Sequence, residues 1–195
     1  MRSFLLALGV LPLAGLTVGC ALSPADVGLE PRCPASGQVS DTIVLIAQAV
    51  PTAQLLPCVD PDALPNEWNV PDIDIRDGEA RIDISAGEMD KVALRVTLRT
   101  DCEIDGASPV PTDREGARRY DLPTADPAGL RGTRLYLFDG GCATYVYDLP
   151  SSPRQVTVDE ALLTVSLLAR HVVQDSVRVD HDDRLELDPA PTSRS

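Results

Sequence analysis

The chain has 195 residues, of which 44% are hydrophobic and 24% are charged, and its formal net charge is −13 at pH 7. This acidic balance excludes nucleic acid as an expected partner and argues against membrane binding through a basic surface. The length suits one domain with a substantial hydrophobic core.

The N-terminal residues have the organisation of a secretory signal peptide. Arg2 precedes an apolar run from Phe4 to Val18, which is shorter than the about 20 residues that span a bilayer. The run ends in LTVGC, which resembles the lipobox of bacterial lipoproteins. The resemblance implies cleavage of residues 1–19 and lipidation of Cys20, with acyl chains such as palmitate anchoring the protein to the cell membrane. The alternative is a secreted protein that is cleaved elsewhere, with Cys20 free or paired.

The segment 20–40 is rich in Pro, Gly, Ser and Ala, a composition typical of a flexible tether. After it we expect a single extracytoplasmic domain from residue 41 to residue 188. A short tail, 189–195, completes the chain. The sequence therefore predicts a lipidated cysteine, a tether and one domain outside the membrane.

The four remaining cysteines are Cys33, Cys58, Cys102 and Cys142. An even set outside the cytoplasm indicates two disulfides, for which three pairings are possible. The strand pattern favours Cys102–Cys142, which leaves Cys33–Cys58. Free buried thiols or a metal site are the alternatives, but no C-x-x-C spacing is present and zinc is not expected.

Helices are predicted near both ends of the domain. Asp41, or the serine before it, is suited to cap a short helix over 42–50, although this apolar, β-branched run also fits a buried strand. The capping box that starts at Thr157 predicts a long helix to about Val177. A short RLELD strand is expected after it.

The stretch PDIDIRDGEARIDIS predicts a β-hairpin. Its Asp77-Gly78 pair is a strong two-residue turn signal between two alternating runs. Pairing about this turn places the isoleucines on one face and the charged residues on the other. It also places Asp72 opposite Asp83, and like charges in that arrangement are unfavourable.

The alternation from Val92 to Ile104 predicts a long strand with Cys102 on its buried side. A loop follows, and then RLYLFDGGCATYVYD predicts a second hairpin. A Gly140-Gly141 turn sets Asp139 opposite Cys142 and lets the two cysteines meet on the inner face, whereas an Asp139-Gly140 turn changes the register. Together these elements predict an α+β fold, with one antiparallel sheet packed against helices on one face.

The second hairpin contains the candidate binding residues. The predicted register places Tyr136 opposite Tyr145 and Arg134 opposite Tyr147, on the face away from Leu135. An exposed aromatic strip beside an arginine is typical of a binding surface for a ligand or a partner. The alternative is that a helix or loop covers this face and makes it a second core layer.

Three arginines in the preceding loop, Arg114, Arg118 and Arg119, form the main local positive charge of an acidic chain. They are suited to hold an anionic ligand or to pair with nearby acids. The sequence leaves both interpretations open.

Catalytic, metal and cofactor sites are not predicted. His171 and His181 are the only histidines, and no G-x-S-x-G motif is present. The run VDHDDRLELD around His181 contains ligands suited to Ca²⁺ or transition metals, but such a run is more typical of a solvated turn. The segment from Asp72 to Gly78 lacks the closing glutamate of an EF-hand loop.

The stretches VLIAQAVPTAQLLPCV, DREGARRY and FDGGCATYVYD resemble a group of largely uncharacterised actinobacterial envelope proteins. The resemblance implies a cell-surface setting and does not specify an activity. The sequence therefore favours a lipid-anchored envelope protein that serves as a non-enzymatic binding or interaction module. The alternatives are an enzyme that acts on envelope material through acidic residues, and a structural or assembly factor.

Overall fold

The computed structural model describes the residue ranges 30–34, 39–87, 91–112, 114–126, 128–151, 156–180, 182 and 184–187. The predicted signal peptide, Cys20 and the start of the tether lie outside the described residues, as do His181, Asp183 and the predicted tail. Within the described ranges, no helix is both long and apolar enough to cross a membrane.

Three helices and nine strands make up the described domain. In chain order they are α1 (Asp41–Ala49), β1 (Leu55–Val59), β2 (Trp68–Arg76), β3 (Glu79–Ala86), β4 (Val92–Arg99), β5 (Ser108–Val110), β6 (Ala117–Leu122), β7 (Arg131–Phe138), β8 (Gly141–Asp148), α2 (Val158–Leu163), β9 (Val165–Ala169) and α3 (Arg170–Asp180). The predicted helix over 42–50 is confirmed as α1, and β5 and β6 lie in a segment for which the sequence predicts a loop.

A seven-stranded antiparallel sheet, in the order β2-β3-β4-β8-β7-β6-β5, forms the main layer of the fold. A second sheet contains β1 and β9 only. The core lies between one face of the large sheet and a layer made of α1, α3 and the small sheet, whose buried side chains include Ile43, Leu56 and Val173. The α+β class is confirmed. We call the core-facing side of the large sheet its inner face.

The register of the first hairpin is confirmed, including Ile75 opposite Ala80 and Asp72 opposite Asp83. The structure also explains why the two aspartates tolerate each other. Arg81 donates a hydrogen bond to Asp72 at 2.8 Å. Arg95 donates two hydrogen bonds of 2.7 Å to Asp83. Each carboxylate therefore has its own guanidinium, and the repulsion is offset.

The predicted register of the second hairpin is wrong by two residues. The turn is Asp139-Gly140, so Tyr136 pairs with Ala143 and Arg134 pairs with Tyr145. Gly140 has a φ of +72°, and a Cβ there would overlap the carbonyl oxygen of Thr52. Only glycine fits this turn position, and a contact far away in sequence thus selects the turn. A shift of two residues keeps the same side chains together on each face of the hairpin.

Both predicted disulfides, Cys33–Cys58 and Cys102–Cys142, are present. The predicted face of the second one is wrong. Cys142 lies opposite Leu137 and Arg99, on the outer face of the sheet. The strand predicted to reach Ile104 ends at Arg99, because the chain has to leave β4 and cross β8, β7 and β6 to reach the edge strand β5. The disulfide fastens this crossing segment to β8.

The long C-terminal helix predicted after Thr157 is wrong, because the segment forms α2, β9 and α3. The capping box is present, with the Thr157 hydroxyl accepting from the Glu160 backbone N–H at 3.2 Å. The helix stops after six residues, since Val165 and its neighbours pair with β1. This tertiary pairing outweighs the helical pattern. The predicted RLELD strand is absent from 184–187, although Leu187 is buried.

Residues 30–34, which belong to the predicted tether, are held against β1. The Cys33 backbone N–H donates to the Val59 carbonyl at 2.8 Å, and the Val59 N–H donates to the Pro31 carbonyl at 2.7 Å. Together with the disulfide to Cys58, these bonds make 30–34 part of the ordered domain.

Candidate anion-binding site

The inner face of the large sheet changes from apolar to charged as it crosses from β3 to β6. One row of paired residues contains Ile82, Val96, Tyr145, Arg134 and Asp121. Neighbours in such a row project from the same face of the sheet. The aliphatic half of the row lies in the core, and the charged half lies towards the edge strands. The fold thus places Arg134 at the end of a hydrophobic core.

A cavity of about 560 Å³ lies over this charged end. Its lining residues are Pro111, Thr112, Arg114, Arg119, Arg134, Tyr136, Asp159, Leu162 and Leu163. We call it the arginine cavity. Its volume falls within the about 300–1,000 Å³ of small-molecule sites.

The predicted aromatic strip is not exposed. Tyr145 is fully buried, and Tyr136 and Arg134 are 3% and 8% exposed. Tyr147 is half-buried, and its hydroxyl lies over Gly132. The strip is covered because α2 and the start of β9 lie over it, as in the alternative interpretation of the sequence. Only Arg134 and Tyr136 line the arginine cavity, and their binding role stays a prediction.

Arg114 is held by aromatic rings and backbone carbonyls. Its guanidinium carbon lies 4.5 Å from the Tyr136 ring centroid and 5.5 Å from that of Tyr145. It donates to the Tyr145 hydroxyl at 3.2 Å and to the Val165 carbonyl at 3.1 Å. Within the described residues no carboxylate forms an ion pair with it. Arg114 therefore fastens α2 and β9 to the sheet and brings a positive charge to the cavity.

Burial keeps the phenol that contacts Arg114 neutral. It raises the pKa of Tyr145 to about 12, and the nearby Arg114 charge opposes this rise only in part. The neutral hydroxyl accepts from Arg114 and donates to the Val165 carbonyl at 3.4 Å. The tyrosine thus supports the position of Arg114 and does not act as a proton donor to a ligand.

Arg119 and Arg134 share the carboxylate of Asp121. Arg119 donates through two nitrogens to the two oxygens of Asp121, and Arg134 Nε lies 3.3 Å from Asp121 Oδ1. Burial raises the pKa of Asp121, but the hydrogen bond from Arg119 and the charge of Arg134 outweigh it, and the net pKa lies below its usual range. Asp121 is therefore a permanent anion at neutral pH and is poorly suited to act as a general acid.

Asp159, on α2, is the second acid at the cavity. Its Oδ1 accepts a hydrogen bond from Arg134 Nη1 at 3.3 Å, while its own side chain remains 79% exposed. Among the described residues the site contains three arginines, Arg114, Arg119 and Arg134, and two acids, Asp121 and Asp159. Guanidinium groups bind carboxylates and phosphates through paired hydrogen bonds. With Tyr136 and Leu162 as an apolar wall, the arrangement is suited to an anion that carries an apolar group.

The other candidate residues do not join this site. Arg118 is exposed and lies on the outer face of β6, opposite Leu137. His171 is exposed at the start of α3 and lines a second cavity rather than the arginine cavity. Asp180 and Asp182 are exposed. Among the described residues, no group of three or more His, Cys, Asp or Glu side chains is placed to hold a metal ion.

The sequence did not identify Asp121, Asp159, Leu162 or Leu163 as site residues. The capping box did predict the start of α2, which fixes Asp159 in its first turn. No local pattern indicates that this turn lies beside β7, because the contact depends on the tertiary fold.

No protein-family model, curated protein or solved structure matches this chain significantly. The function therefore has to be inferred from the geometry and charge of its own residues.

Proposed function

We propose that this chain is a lipid-anchored protein of the cell envelope whose domain binds a small anionic ligand in the arginine cavity. The observation that carries the binding role is that three arginines and one acid are the charged residues among the described lining of this cavity, in a protein whose net charge is −13. The lipobox-like LTVGC sequence supports the anchor. The two disulfides support a location outside the cytoplasm.

The ligand binds by taking over part of the network around Arg134. Its carboxylate or phosphate accepts hydrogen bonds from Arg134 and Arg119, and its apolar part packs on Tyr136 and Leu162. Asp121 remains bound to Arg119, whereas the exposed Asp159 is displaced from Arg134. The domain is preformed for this exchange, since β6 and β7 hold both guanidinium groups in place.

Calorimetric titration with benzoate, a carboxylate on an apolar ring, tests the binding role. The variant Arg134→Gln should weaken benzoate binding by about tenfold or more, because it removes a charge-assisted hydrogen bond. Arg118→Gln is the matched control, since it removes the same charge from the outer face of β6. Equal affinities of the two variants would show that benzoate does not use the cavity.

Membrane fractionation of cells tests the anchor separately. Cys20→Ser should move the protein from the membrane fraction to the medium or leave an unprocessed precursor. An unchanged membrane fraction of mature size would exclude lipidation at Cys20.

A further inference from the structure

The β9 edge of the small sheet is open at Leu167 within the described residues, whereas the Val165 carbonyl on the same edge accepts hydrogen bonds from Arg114 and Tyr145. The bonds from Asp60 N–H to the Thr164 carbonyl and from Arg170 N–H to the Gln54 carbonyl flank the β1–β9 ladder. Because hydrogen-bonded and non-bonded pairs alternate in antiparallel sheets, the pair of Pro57 and Leu167 is non-bonded. Proline, which has no N–H, fits such a position. The backbone N–H and C=O of Leu167 consequently point away from β1.

The opposite edge of this sheet shows the same alternation. Val59, which is in phase with Pro57, directs its N–H and C=O to residues 31–33 on the far side of β1. One edge of the small sheet is thus occupied by an extended segment of the chain itself. Within the described residues, no strand pairs with the β9 edge.

A groove accompanies the free edge. A cavity of about 640 Å³ is bounded by β9 on one side and by residues 114–116 on the other, and Leu55, Leu163 and Leu167 supply its apolar lining. Arg114 and Leu163 line both this cavity, which we call the β9 groove, and the arginine cavity. The two cavities therefore adjoin, and Leu163, at 62% exposure, stands between them.

We propose that the β9 groove binds an extended peptide that ends in a free carboxylate. The peptide main chain pairs with the N–H and C=O of Leu167, as in strand addition to an open sheet edge. Its terminal carboxylate lies in the arginine cavity, where the positive charge is complementary to it. The apolar side chains of the peptide contact Leu55 and Leu163. This inference rests on the proposed function and names the chemical class of its ligand.

Nuclear magnetic resonance on the ¹⁵N-labelled chain from residue 20 onwards, with both disulfides intact, tests the proposal. The probes are acetyl-Thr-Val-Thr-Val with a free carboxylate, the same peptide as its amide, and benzoate. The peptide with the free carboxylate should shift the backbone N–H signal of Leu167 and slow the hydrogen exchange of that N–H. The amidated peptide should bind at least about tenfold more weakly. Benzoate should shift signals of the arginine cavity and leave Leu167 unaffected.

The controls separate this inference from the proposed function. Leu167→Pro removes the outward N–H at the ladder position opposite Pro57, together with the leucine side chain, and should abolish peptide binding while benzoate still binds. Leu167→Ala removes the same side chain but keeps that N–H, and it should weaken peptide binding less than Leu167→Pro does. The peptide inference would be overturned if the peptide changed the chemical shifts of arginine-cavity residues only, or if the free-carboxylate and amidated peptides bound with equal affinity. If the unmodified chain does not bind benzoate, the proposed function itself is overturned.

Discussion

Replacing Asp159 with asparagine should strengthen anion binding, although it leaves the arginines untouched. The Asp159 carboxylate accepts from Arg134 at 3.3 Å while remaining 79% exposed, so it competes with a ligand for that guanidinium. Exposed ion pairs contribute about 0.2–1 kcal/mol each. Removal of the competitor therefore predicts a gain in affinity of about 1.4- to 5-fold.

Calorimetric titration with benzoate at neutral pH and low salt measures this gain. Asp175→Asn is the control, since Asp175 is also an exposed acid in an ion pair, with Arg178, but does not line the cavity. It should bind benzoate as the unmodified protein does, apart from any general effect of net charge. Unchanged or weaker binding by Asp159→Asn, relative to this control, would refute the exchange of Asp159 for a ligand anion on Arg134.

Two further predictions concern stability. Gly78→Ala should lower the free energy of unfolding by about 1–2 kcal/mol because Gly78 has a positive φ. Gly140→Ala should lower it by about 1–3 kcal/mol more, because a Cβ at Gly140 would also overlap Thr52, whereas one at Gly78 meets no neighbouring atom. Equal losses for the two variants in chemical denaturation would contradict the packing of Thr52 on this turn. Since the pKa of Tyr145 is raised from 10.0 to about 12, its neutral form stabilises the fold fully below pH about 10, and this contribution is lost as the pH rises through about 12. Tyr145→Phe should therefore flatten the alkaline loss of stability, and parallel curves for the two proteins would rule out a buried neutral phenol.

The sequence predicts the first hairpin well because its register depends on neighbouring residues alone. Asp77-Gly78 forms the turn, and the alternation on either side admits one register only. The capping box at Thr157 is local in the same way. Each of these features is stabilised by contacts within a few residues, and pattern analysis is sensitive to such contacts.

The sequence-based predictions are wrong where a contact between residues far apart in the sequence determines the local structure. Asp139-Gly140-Gly141 offers two turns with the same facing of side chains, and the packing of Thr52 against Gly140 selects one of them. Likewise, the helical pattern after Thr164 gives way to β9 because β1 offers a partner. The burial of the aromatic strip also depends on α2, which no local signal places over the sheet.

The candidate site was predictable in part for the same reason. Arg134 and Tyr136 alternate with the aliphatic residues of β7, so their common face follows from the sequence. Their convergence with Arg114 and Asp159 does not, because these come from a turn and a helix that the tertiary fold brings together. The arginine cavity is a product of topology as much as of composition.

The most direct test of the account is the response of the arginine side chains to benzoate. The Nε–H signals of the arginines in a ¹H–¹⁵N spectrum of the full domain report on individual guanidinium groups. Those of Arg134 and Arg119 should shift saturably as benzoate is added, and that of Arg118, on the opposite face of the same sheet, should not move. Shifts of equal size for all three, or none at all, would contradict anion binding in the arginine cavity.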